Sequence, residues 1–214
     1  MSTNWESIVE SLRQQLDIKH QAREHGLQTC RKVIQSCGKG IRHIHRHQTK
    51  EARELIDEAR RLVQEARDYL KPHPDLYYAG YLQDAEKEYV EAEALYAIIE
   101  KSTMPDPAGL NVHVTAYLNG MAEAASECRR YILDAMRKGE TKVAEDCLIA
   151  MEDIYDELIT FDYPDAITGG LRRTCDALRA VLERTRSDFA ISTTQRELQS
   201  ALERTLEKIE EKEG

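Results

Sequence analysis

The chain has 214 residues and a formal net charge of −9; 32% of the residues are charged, 41% hydrophobic and only 6% aromatic. That length suits one domain or one extended helical bundle, since single cores rarely outgrow about 250 residues. No apolar run approaches the roughly 18 residues of a membrane span, and the acidic start MSTNWESIVE lacks the basic and then apolar character of a signal peptide, so a cytoplasmic protein is expected.

Apolar residues recur at helical rather than alternating spacing, and 10 Gly and 5 Pro leave few turns, which predicts an all-α chain. Trp5, Ile8, Leu12 and Leu16 form a stripe after a Ser2/Thr3/Asn4 cap. It continues as Leu27, Cys30, Ile34, Cys37, Ile41 and Ile44, straight through Gly38 and Gly40, so one long first helix over about 3–47 is predicted, bent near Gly26. A second helix, about 49–70, buries Leu55, Ala59, Leu62, Ala66 and Leu70 and stops at Lys71-Pro72-His73-Pro74. The third, about 75–102, carries Tyr78, Leu82, Ala85, Tyr89, Ala92, Tyr96 and Ile99 as far as Pro105-Asp106-Pro107. The fourth, about 110–138, shows Val114, Tyr117, Met121, Ala125, Cys128 and Ile132 and ends at Lys138-Gly139. A fifth covers about 140–160 and a sixth about 165–190. A seventh starts at Ser192/Thr193 and frays into a charged tail at about 203–214. Nothing reads as a domain linker, so one domain over 1–214 is expected. Cys30, Cys37, Cys128, Cys147 and Cys175 contain no C-x-x-C pair and read as reduced, buried thiols.

Charge is unevenly spread. Residues 1–53 hold ten Lys/Arg against five Asp/Glu, a balance of +5 that leaves −14 for the rest. The stretch Arg31, Lys32, Lys39, Arg42, His43, His45, Arg46, His47, Lys50 and Arg53 is interrupted only by Glu51 and can track a phosphate backbone, although a solvated helix face would read the same way. His43, His45 and His47 lie two apart and point away from one another on a helix, which argues against zinc.

The other candidate is acidic. Glu88 and Glu91 are spaced i, i+3, and Glu123 and Glu127 i, i+4, so each pair projects from one side of its helix beside a core stripe. An oxygen-only set of this kind suits Mg²⁺ or Mn²⁺ and in-line attack of water on a phosphodiester. In a chain with 39 acids the same spacing also arises on plain surfaces. A ferritin-like di-iron bundle would need Glu-x-x-His motifs, and none is present.

The segments Ile41-Arg42-His43-Ile44-His45-Arg46, Glu88-Tyr89-Val90-Glu91-Ala92 and Tyr117-Leu118-Asn119-Gly120-Met121-Ala122-Glu123, with Glu127 beyond, resemble the translin superfamily and are more similar to its Trax branch. The resemblance covers about residues 25–190. It implies a seven-helix fold, a self-assembling shell, most often an octamer, and a Mg²⁺- or Mn²⁺-dependent endoribonuclease for single-stranded RNA. Duplex RNA and single-stranded DNA stand as further ligands. Glu88 and Glu91 match the two glutamates of the Trax segment, Glu123 its aspartate, and Glu127 the acid one turn on. Tyr77-Tyr78-Ala79-Gly80-Tyr81-Leu82-Gln83 is neutral where translin is basic. RNA contact then falls to Arg31, Lys32, Lys39, Arg42, His43, Arg46, Lys50 and Arg53, or to Arg129-Arg130 and Arg172-Arg173. The absence of long polar insertions resembles compact prokaryotic or archaeal members that assemble alone. A non-catalytic RNA- or DNA-binding scaffold and a purely structural helical assembly are the alternatives.

Overall fold

A computed structural model of the chain describes residues 2–213, and the side chains from residue 4 to residue 209. Every regular element among the described residues is a helix: α1 Ser2–His45, α2 Thr49–Leu70, α3 Pro74–Tyr77, α4 Tyr81–Glu100, α5 Pro107–Leu110, α6 Val114–Lys138, α7 Thr141–Leu158, α8 Asp165–Thr168 and α9 Leu171–Glu213. The all-α class and the long first helix are as expected, and the seven expected segments resolve into six long helices and three single turns. Tyr78 lies outside α4, and Ser192 and Thr193 lie inside α9 rather than starting a new helix. The Thr194 hydroxyl donates back to the Ala190 carbonyl at 3.0 Å, which lets the helix run on. The expected Ser2/Thr3 cap and the acids Glu210, Glu211 and Glu213 lie outside the described side chains. No described helix is long and apolar enough to cross a membrane.

The chain forms two compact units, residues 1–124 with 163–171, and residues 125–162 with 172–214. In the first, α1 and α2 are antiparallel neighbours joined by a short turn, and α4 packs on both. The α1 face in the core is Ala22, Gly26, Cys30, Val33, Cys37, Ile41 and Ile44. Ile34, expected inside, is exposed and Val33 replaces it, because a straight helix of 3.6 residues per turn drifts away from a strict 3-4 pattern. In α2 the buried residues Ala52, Ile56, Ala59, Val63, Ala66 and Leu70 keep a 4-3-4-3-4 spacing that takes in Ile56 and Val63 and leaves the neighbouring Leu55 and Leu62 half-buried. Gly26 does not interrupt α1. A Cβ there would lie 2.7 Å from the Leu70 side chain, so glycine lets the end of α2 close on α1. Val114 and Tyr78 are exposed rather than in the core.

The second unit is built from α7, α9 and the part of α6 from Ala125 onward. Cys128, Ile132, Ala144, Met151, Leu178 and Leu182 fill its core. All five cysteines are buried and free of disulfides, as expected.

Candidate functional site

The acidic candidates sit on α4 and α6, and a glycine decides how close those helices come. A Cβ on Gly120 would lie 2.7 Å from both the Lys87 carbonyl oxygen and the Val90 Cβ. Neither can swing aside. The backbones therefore touch where α6 crosses α4, and one turn later Glu123 is delivered against the outer edge of α4. Gly120→Ala supplies a direct check: in a free helix the change gains about 1 kcal/mol of propensity, whereas forced overpacking costs about 1–3 kcal/mol. A net fall in melting temperature is expected, and a rise would show that the helices do not meet there.

This crossing brings three carboxylates together. One ligand oxygen from each of Glu88, Glu91 and Glu123 lies within 4.8 Å of the others, and all three residues are half-buried. At that separation each like-charge pair repels by up to about 3 kcal/mol before solvent screening, so the cluster calls for a cation. Lys87 partly meets the demand: its ammonium donates to Glu123 Oε1 at 2.6 Å and lies 4.0 Å from Glu88 Oε1. Burial first, then Glu123 and Asp84, push the Glu88 carboxyl above the usual range, against a lowering by Lys87. Cys37 of α1 stands close enough for Glu88 and Glu91 to act on its thiol, but burial chiefly, and those two charges, push it far up. An all-oxygen, half-buried donor set fits Mg²⁺ or Mn²⁺. Glu127 follows one turn beyond Glu123 on α6, in the second unit, and is not one of the three grouped acids.

The basic candidates divide. Arg31, Lys32, Lys39 and Arg42 are exposed on α1, Arg46 is exposed in the turn after it, and Lys50 is exposed at the start of α2. At 100° per residue the four on α1 fall within a sector of roughly 100°, opposite the core face, and run for about 17 Å. No Asp or Glu occurs between Glu24 and Glu51. His43 is half-buried and its Nδ1 lies 2.8 Å from Gln48 Oε1. Arg53 is turned inward: its Nη1 and Nη2 each donate to Glu93 at 2.8 Å, and Nε donates to Asp57 at 3.0 Å. In the second unit Arg129 donates to Thr185 at 3.1 Å and to Asp188 at 2.7 Å. Because Cys37 is on the core face of α1, the cation stripe and the carboxylate cluster occupy different sides of that helix.

Beside the neutral segment lies a cleft of about 370 Å³ lined by Arg67, Lys71, Tyr77, Tyr78 and Asn111 among others. The Arg67 guanidinium stands 5.9 Å over the Tyr77 ring, so residues from α2 bring cations to a stretch that has none of its own. Sequence reasoning missed them because Arg67 and Lys71 belong to the end of a different helix. Gly120 and Lys87 were also missed as site residues. The first had a legible signal, a lone glycine inside a stripe of small residues; the second had none.

No protein-family profile matches the chain. An uncharacterized protein of Methanocaldococcus jannaschii is 30% identical over 187 residues, 87% of this chain and 83% of that protein. A solved complex of the Archaeoglobus C3PO, AfC3PO, with duplex RNA is 34% identical, covers 88% of this chain and 97% of its own, and has a TM-score of 0.81. A second AfC3PO structure, also 34% identical, covers 88% and 98% with a TM-score of 0.82. Apo-NeC3PO from Nematostella, 22% identical over 90% of this chain and 98% of its own, shares the fold with a TM-score of 0.72.

Proposed function

The chain belongs to the C3PO/translin superfamily, and from that premise we propose that it is a Trax-like, Mg²⁺- or Mn²⁺-dependent endoribonuclease acting on single-stranded RNA in a cytoplasmic homo-oligomer. The observation that carries this reading is the convergence of Glu88, Glu91 and Glu123 on one point at the α4–α6 crossing. These three would hold the ion, with Glu127 a fourth ligand or a partner behind the first three. What such an ion supplies when bound is activation of water and neutralisation of charge on the phosphate. The chain's own part is to hold three oxygens in a half-buried groove and to supply cations that draw the polyanion in. Cleavage of labelled single-stranded RNA, abolished by EDTA and restored by Mn²⁺, tests the assignment. Cutting that persists in EDTA would sink it. The duplex RNA bound to AfC3PO supports running a duplex beside the single strand.

The stripe Arg31, Lys32, Lys39, Arg42, Arg46 and Lys50 is the binding surface in this reading, with His43 and Arg53 shaping its end. Since stripe and cluster face different sides of α1, the strand held by one subunit is cut at the cluster of another. Assembly is supported by apolar side chains that the chain leaves exposed, among them Trp5, Leu12 and Leu16 on α1. Arg42→Ala with Arg46→Ala is expected to weaken RNA binding across sequences and to flatten the slope of log affinity against log salt by about 0.7 for each lost contact on a single strand. Oligomers mixed from this variant and Glu123→Ala should cut better than either parent. An unchanged salt slope would return the stripe to an ordinary solvated face.

A non-catalytic RNA-binding scaffold is the second reading. It is favoured by one observation, the ammonium of Lys87 already placed against Glu123.

A further inference from the structure

The cation that the carboxylate cluster holds is a side chain of its own helix. Lys87 precedes Glu88 on α4, and its carbonyl oxygen forms part of the contact under Gly120, so its backbone is pinned at the helix crossing. Its four-carbon stem is not pinned in the same way. It reaches one turn along α6 to place Nζ 2.6 Å from Glu123 Oε1 and 4.0 Å from Glu88 Oε1. The lysine side chain is 26% exposed, against 29% for Glu88 and 33% for Glu123, so all three charges share one partly dry groove with an opening to water.

Resting on the metal reading above, we propose that Lys87 is a built-in counter-ion that competes with the divalent ion for Glu123 and thereby sets the ion concentration at which the site fills. Three carboxylates gathered within 4.8 Å cannot stay together uncompensated, and the ammonium keeps them assembled when no ion is bound. A divalent ion gathers several carboxylates at once and carries twice the charge, whereas the ammonium hydrogen-bonds Glu123 alone at close range. Incoming ion and ammonium repel each other at these distances, so the flexible stem swings outward as the ion enters. Whatever position Nζ then takes, a positive charge tethered beside the site weakens the site's affinity for a cation. A site tuned in this way fills only above a threshold of free Mg²⁺ or Mn²⁺.

The test is Mn²⁺ titration of the full chain by calorimetry, with melting temperature recorded alongside. Lys87→Met, neutral and of similar length, is expected to tighten Mn²⁺ binding on the order of tenfold while lowering the melting temperature without metal. Added Mn²⁺ should then raise that temperature more than in the wild type. Lys87→Arg should keep the wild-type affinity, and Lys87→Gln serves if Lys87→Met does not fold. A lysine that only braced α4 against α6 would lower the metal-free melting temperature without tightening Mn²⁺ binding. Equal or weaker binding by Lys87→Met overturns the proposal alone. If neither the wild type nor any Lys87 variant binds Mn²⁺, the metal reading fails and the proposal fails with it.

Discussion

Replacing Glu88, Glu91 or Glu123 by Ala is expected to remove divalent-dependent RNA cleavage, by at least on the order of 10²–10³-fold, while RNA still binds and the oligomer keeps its size. Each of the three contributes an oxygen to one point, and a hard cation loses affinity steeply when a carboxylate of so small a set is withdrawn. Removing any one of three clustered like charges relieves repulsion. Glu123→Ala also has a cost to folding, since it strips Lys87 of the oxygen 2.6 Å away. RNA binding should hold steady or tighten slightly, as a negative charge facing a polyanion has gone. Glu123→Asp is the discriminating control. The Trax pattern has Asp there, so a shorter carboxylate should retain cleavage where Ala does not. Glu183→Ala, exposed on α9, should behave as the wild type. Single-turnover cleavage of one labelled RNA across these variants decides the matter: Ala variants that still cut would end the nuclease assignment and leave the scaffold.

The helices were legible in the sequence because their stripes are long and their stops are chemical: Pro72 and Pro74 after α2, Pro105 and Pro107 after α4, and Gly139 after α6. Which member of each stripe faces inward was less so. A 3-4 pattern cannot separate Ile34 from Val33 or Leu55 from Ile56, and tertiary contact settled both. Glu88, Glu91 and Glu123 were legible as a set only through resemblance, for spacing gives pairs on each helix and says nothing of two helices crossing at Gly120. Hidden altogether were the acids that do not face water. Glu86 and Glu93 lie seven apart among Leu82, Ala85, Tyr89, Val90 and Ala92, a buried stripe in which a carboxylate reads as solvent-facing until its partner is known. Those partners, Arg67 and Arg53, come from α2, and nothing local in the chain pairs them with α4.

Glu86 is where the largest loss of stability is expected. It is 0% exposed; Oε1 accepts from Arg67 Nη1 at 2.5 Å, and Oε2 accepts the His113 backbone N–H at 3.0 Å and lies 2.6 Å from His113 Nδ1. Arg67 also donates to the Asn111 carbonyl, at the left-handed residue closing α5. One carboxylate thus ties α2 and α4 to the turn that launches α6. Glu86→Ala leaves a half-buried guanidinium without its counter-charge, orphans the His113 N–H and opens a void. Breaking a buried pair from one side costs about 3–5 kcal/mol, which in a chain of this length corresponds to a fall of roughly 6–20 °C in melting temperature. Glu86→Gln keeps an acceptor and the volume and should lose less, whereas Glu86→Ala combined with Arg67→Met, which removes the stranded charge, should recover part of the loss. Because the same carboxylate fixes where α6 begins relative to α4, Glu86→Ala should also weaken Mn²⁺ binding at Glu88, Glu91 and Glu123 without touching any of them. Thermal melts of the three variants beside Mn²⁺ titrations separate the two effects. A double variant no more stable than Glu86→Ala would show that the cost lies in lost packing and not in an uncompensated charge.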